Sequence, residues 1–172
     1  MNKIKQAVTL LLFSILILSC NRQRPQLPSN KGVETDSTAV SLLNINQNLA
    51  KKEDAYLKKE VFKKDKTFKR SEIGFWYKID QSGRGAAIKD STSCKISCQV
   101  STLNGKVLQN EIKQLVIGKK LVVTGLEEGL KLCKKGDSAT FIIPWYLAYG
   151  MKGNEPLIPP YTSLIYIIKV FN

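Results

Sequence analysis

Side chains able to do covalent or metal chemistry are scarce in this chain. It has no histidine, which removes the usual catalytic triads and most general bases. Its cysteines are Cys20, Cys94, Cys98 and Cys133. If Cys94 and Cys98 share a strand they lie about 13 Å apart, beyond disulfide reach. With no histidine and no Cys-x-x-Cys pair, a zinc site lacks its ligands. Cys94, Cys98 and Cys133 therefore read as small buried hydrophobes. What remains is the stretch "YLAYGMKGNEPLIPPYTSLIYIIKV", Tyr146 to Val170, rich in aromatic and aliphatic side chains. A turn-rich loop there carries Ile158-Pro159-Pro160 directly ahead of an apolar run. Two prolines keep such a loop stiff, so it is suited to being held over a buried strand.

These residues need a scaffold, and the second half of the chain supplies one. "GFWYKI" (Gly74–Ile79), "CKISCQV" (Cys94–Val100), "KKLVV" (Lys119–Val123), "SATFII" (Ser138–Ile143) and "SLIYIIKV" (Ser163–Val170) read as strands. Asn104-Gly105 marks a turn after the second. "TGLEEGLKLCKKGD" reads as the single helix among them, with Thr124 and Glu127 as a capping box and Leu126, Leu130 and Cys133 on one stripe. Lys134 and Lys135 suit its C-terminal end, and Gly136 is placed to stop it. The expected class is α+β: a twisted antiparallel sheet of about five strands wrapped on one short helix.

The first half is different. Lys3 and Lys5 precede twelve residues, Ala7–Leu18, that are apolar apart from Thr9 and Ser14. That is too short to span a bilayer, which takes about 20 residues, and has the layout of a secretory signal over residues 1–19. It ends Ile17-Leu18-Ser19-Cys20, which resembles a bacterial lipobox and implies acylation of Cys20. Two or more acyl chains anchor a protein stably. Residues 20–40 are polar and aperiodic and read as a disordered tether. Residues 41–70 read as a basic amphipathic helix, with Leu42, Ile45, Leu49 and Tyr56 on one stripe and Leu57 and Val61 beside it. Residues 46–70 hold nine basic and four acidic side chains. The segment 41–62 is either a solvated helix packed lightly on the domain or a surface for a homodimer or a docking partner.

Setting Lys3 and Lys5 aside leaves 25 basic residues against 14 acidic ones, a surplus of 11. Such a surplus suits nucleic acid, but a lipoprotein outside the cytoplasm meets none routinely. An anionic lipid surface or an acidic partner fits better.

"VVTGLEEGL", "AYG" and "IPPYTSL", in that order and spacing, resemble the C-terminal half of FKBP-type peptidyl-prolyl isomerases. The likeness extends more weakly back to Glu72 and sets the domain at residues 71–172. The "RQRP" stretch after Cys20, the Glu-containing helix and "SEIGFWYKI" resemble the gliding-motility-associated FKBP-type lipoproteins of the Bacteroidetes.

The resemblance implies a chemistry with no covalent step and no cofactor. Rotating a prolyl amide forfeits resonance behind a barrier of about 18–20 kcal/mol. The half-rotated amide is less polar than either planar form, so a dry apolar pocket favours it differentially. On the family pattern Tyr149 donates its hydroxyl to the substrate carbonyl, Ile158 caps the proline pocket, and Tyr166 forms an aromatic wall that is usually Phe. Val122 and Val123 match the aliphatics before the helix, with the Val123 N–H holding a carbonyl, and Leu126 is the floor. The chain also departs from the pattern. Cys98 stands where a pocket Tyr is usual, and Leu108-Gln109 replace a Phe-Asp pair, so the polarising acid is absent. The expected function is a membrane-anchored prolyl isomerase acting on proline-containing polypeptides, tethered through Cys20 and facing the periplasm. The alternative is a prolyl-binding scaffold with little or no turnover.

Overall fold

Leu164, Tyr166, Ile168 and Val170 alternate with Ile165, Ile167 and Lys169, and a period of two assigns the first four to one face of a strand. In the computed structural model, which describes residues 37–172, all four are buried and Leu164–Val170 is an inner strand of a six-stranded antiparallel sheet. In chain order the strands are β1 (Lys69–Arg70), β2 (Trp76–Gln81), β3 (Ser93–Thr102), β4 (Val107–Val116), β5 (Ser138–Ile143) and β6 (Leu164–Val170). Their order in space is β1-β2-β5-β6-β3-β4. The register lines up Tyr77, Phe141, Tyr166, Val100 and Gln109 in one row across the sheet.

Two helices, α1 (Ser37–Lys64) and α2 (Thr124–Leu130), accompany the sheet. Leu126 and Leu130 of α2, and Cys133 just after it, are buried in one core with Phe141, Ile143, Ile168 and Ile96. The helix backbone sits close to β5 because two of its residues lack side chains. A Cβ on Gly125 would lie 2.4 Å from Ile143 Cγ2, and one on Gly129 would lie 2.8 Å from Phe141 Cε1. Leu57 and Val61 of α1 are buried in a second cluster with Phe68, Trp76 and Ile142. Trp76, Ile142 and Ile165 share a register row, one position off the row of Tyr77, Phe141 and Tyr166, and so face the opposite side. Hiding Leu57 and Val61 contributes about 1.5–3 kcal/mol each. Arg70 pairs with Asp54 of α1 at 3.0 Å, and the Tyr146 hydroxyl donates to the same carboxylate. Leu42–Asn172 form one compact unit.

The α+β class and the sheet-on-helix core agree with the sequence reading, and several details do not. Lys119–Val123 is a loop, not a strand, because Gly118 and Lys120 take φ of +88° and +53°. Val107–Val116 is a strand the sequence did not suggest. It is the sheet's edge, and its alternation is blurred by Gln, Asn, Glu and Lys along the half-exposed face. Helix α1 starts at Ser37 and ends at Lys64, where the Asp65 carboxylate takes over the Thr67 N–H and hydroxyl in a turn. Its main predicted stripe is largely on the outside, with Leu42, Ile45 and Tyr56 exposed, while the adjoining Leu57 and Val61 are buried. Helix α2 stops at Leu130, ahead of Lys134, Lys135 and Gly136. The signal segment, Cys20 and the tether before Ser37 lie outside the described residues. No helix among the described residues is long and apolar enough to cross a membrane.

Candidate active site

Between the face of the sheet that packs on α2, the first turn of that helix and the segment 120–123 lies a cavity of about 280 Å³. Side chains alternate along a strand, so Cys98 and Val100 of β3 share a face, and the transverse register brings Tyr166 and Gln109 beside Val100. All four line the cavity, with Lys113 of β4 and Leu126 of α2. Lys120, Leu121, Val122 and Val123 form its lip, and Tyr149 completes the wall. The volume sits just under the usual small-ligand range of about 300–1,000 Å³, which suits one small ring with its flanking amides.

The lip is held by a side chain given another task in the sequence reading. Glu127 and Thr124 do not form a capping box, since α2 begins after Val123 without any side-chain cap. Instead the Glu127 carboxylate, 8% exposed, accepts the N–H of Gly118 at 2.7 Å and of Lys120 at 3.2 Å. One buried carboxylate thus staples the loop that carries Val122 and Val123. The Val123 N–H takes no part in the backbone hydrogen bonds of the described residues, so it is available to a ligand.

Tyr149 follows a 3₁₀ turn, Trp145–Leu147. Its carbonyl accepts the Gly153 N–H at 3.2 Å, and the Gly150 carbonyl accepts the Tyr161 N–H at 3.1 Å. Within the loop Ile158 and Asn154 exchange two backbone hydrogen bonds, at 2.7 and 2.9 Å. Gly153 has no substitute there, because its φ is +72° and a Cβ would lie 2.3 Å from the Ile158 carbonyl. Burial first, then the adjacent Tyr149 phenol, holds Tyr166 neutral far above the ordinary phenol range. Hydrogen bonding between the two phenols acts in the same direction. Burial pushes the Cys98 thiol up to about 11. At the mouth Gln109 Nε2 donates to Glu111 Oε1 at 2.5 Å, and Lys113 Nζ pairs with the same oxygen at 2.6 Å.

A family model described as FKBP-type peptidyl-prolyl cis-trans isomerase matches residues 85–171. The chain belongs to this FKBP-type family. A "Probable FKBP-type peptidyl-prolyl cis-trans isomerase" from Haemophilus influenzae is 33% identical over 114 residues, 64% of this chain and 47% of that protein. The isomerase FkpA of Escherichia coli K12 is 33% identical over 120 residues, 66% of this chain and 43% of its own length. The crystal structure of Escherichia coli FkpA superimposes with a TM-score of 0.62 at 29% identity, covering 80% of this chain and 65% of that one. The chain spans less than half the length of these two curated relatives.

Within this FKBP-type domain most of the expected pocket residues come together. Tyr149, Tyr166, Val122, Val123, Leu126, Cys98 and Gln109 all line the cavity. Ile158 and Leu108 do not. Ile158 is 3% exposed and packs into the core beside the cavity wall. Leu108 is the extra residue where the β3–β4 register shifts, and it packs on the same core. Val100, Lys113, Lys120 and Leu121 also line the cavity and were not foreseen. Val100 could have been found, two residues along the face of Cys98. Lys113 could not, because β4 itself was hidden.

Proposed function

We propose that this chain is a peptidyl-prolyl cis-trans isomerase that twists prolyl amides in the cavity beneath Tyr149, without covalent chemistry. The observation that carries the reading is an open apolar hollow bounded by Leu126, Val122 and Tyr166, with Tyr149 in its wall and a Val123 N–H that has no backbone partner among the described residues. Uncatalysed prolyl rotation takes tens to hundreds of seconds, so even modest preference for the twisted amide is useful to a folding chain. A second reading, a prolyl-binding scaffold with little turnover, draws support from Cys98 and Gln109 in the cavity wall. They thin the aromatic surface and remove the acid that the family pattern carries there. An exchange measurement on a proline peptide, with the chain carrying Cys20→Ser, separates the two. Turnover above background favours the enzyme, and binding with background rates favours the scaffold.

The proposal extends to where the enzyme works. A short apolar run ending in Leu18-Ser19-Cys20 supports a lipid anchor on Cys20, with the domain facing the periplasm and serving exported proteins. Likeness to gliding-motility lipoproteins points to that machinery as one setting, and the outward Leu42 and Ile45 of α1 suit a second copy or a docking partner there. Metabolic labelling with palmitate should mark the wild-type chain and be lost in Cys20→Ser. Retained label in that variant would exclude the anchor.

A further inference from the structure

The lip of the cavity carries a charge that the isomerase reading does not use. Lys120 lines the cavity beside Leu121, and its backbone has φ of +53°, a conformation a non-glycine residue adopts at some cost. The staple from Glu127 to the Lys120 N–H sustains it. Lys120 has no ion-pair partner among the described residues, whereas the other lysine in the wall, Lys113, is neutralised by Glu111 at 2.6 Å. The residue that could have supplied a compensating acid, Gln109, is uncharged. The mouth therefore presents one lysine with no ion-pair partner among the described residues, three residues from the Val123 N–H along the lip.

Resting on the isomerase reading, we infer that Lys120 is a specificity residue that selects prolyl peptides with an acidic residue immediately before the proline. The carbonyl that Val123 would hold belongs to a residue adjacent to the amide being turned. An extended chain advances about 3.3 Å per residue, so a side chain next to that carbonyl lies within reach of a long lysine on the same lip. Lysine suits this as a mobile point charge on a flexible stem. The general surplus of basic side chains would steer acidic peptides to the protein, but only Lys120 would discriminate once they arrive.

The test compares Glu-Pro, Gln-Pro and Lys-Pro peptides of otherwise identical neutral sequence, using exchange NMR on the full chain. At low ionic strength kcat/KM for Glu-Pro should exceed that for Lys-Pro about fivefold, as attraction replaces repulsion at a solvent-exposed pair. The ratio should fall towards unity at about 1 M salt. Lys120→Gln should abolish most of the preference, Lys120→Gly should do so while relieving the backbone, and Lys119→Gln should leave the ratio near wild type. Equal rates for the three peptides, or a preference untouched by Lys120→Gln, would overturn the inference. If no peptide turns over, the isomerase reading fails separately and peptide titrations decide. Tighter Glu-Pro binding that is lost in Lys120→Gln supports the selection, and equal binding defeats it.

Discussion

Glu127→Ala is expected to lower stability by about 2–3 kcal/mol and kcat/KM at least tenfold. The carboxylate is nearly buried and its Oε1 takes two backbone N–H groups, those of Gly118 and Lys120. Hydrogen bonds to a charged group are worth about 1.5–3 kcal/mol, and removing the acceptor leaves two donors in a part-buried turn. Both residues stand at positive φ, and the turn's own backbone bond, from the Lys119 N–H to the Val116 carbonyl, is long at 3.3 Å, so the turn is weakly held once the staple is gone. The lip that carries Val122 and Val123 would then loosen. Glu127→Gln keeps an acceptor of the same shape and should lose roughly half as much stability. Urea unfolding read beside peptide turnover checks both parts. A loss of stability with kcat/KM intact would mean that the staple supports the fold but does not position the lip.

Tyr149→Phe should lower kcat/KM about tenfold while changing stability by less than about 1 kcal/mol, the worth of one hydrogen bond made chiefly in the transition state. Its side chain lines the cavity with that of Tyr166. Tyr166→Phe keeps the aromatic wall and removes only a hydroxyl near Tyr149, so a smaller loss, about threefold, is expected. The pH profile adds a check. Burial keeps Tyr166 and the Cys98 thiol protonated well above neutrality, the thiol to about 11, so neither should put a break in kcat/KM across the neutral range. A profile that bends near neutrality in wild type and flattens in Cys98→Ala would contradict this account of the pocket.

What the sequence made legible was whatever depended on short-range periodicity and on the family pattern. The alternation through Leu164–Val170 and the stripe Leu126, Leu130, Cys133 named the core correctly, because one face of each is buried. Seven of the nine expected pocket positions line the cavity, and those in loops, Val122, Val123 and Tyr149, were placed by the family pattern alone. The misses were set by long-range contacts. Glu127 looked like a capping partner for Thr124, three residues away, yet bonds the loop preceding the helix. On α1 the register of burial depended on what the helix packs against, so Leu57 and Val61 displaced Leu42 and Ile45 as the buried set. Ile158, expected over the pocket, is buried in the core cluster that also holds Leu126 and Tyr166.

Gly125 and Gly129 act as a gauge. With bare backbone set against Ile143 and Phe141, the separation of helix and sheet is fixed by contact between main chain and strand side chains, and Leu126 takes its height from that. Changes elsewhere in the rim can therefore widen or narrow the opening, whereas its depth stays constant. A lineage that diversified its clients would be expected to rewrite the rim residues and leave these two positions bare.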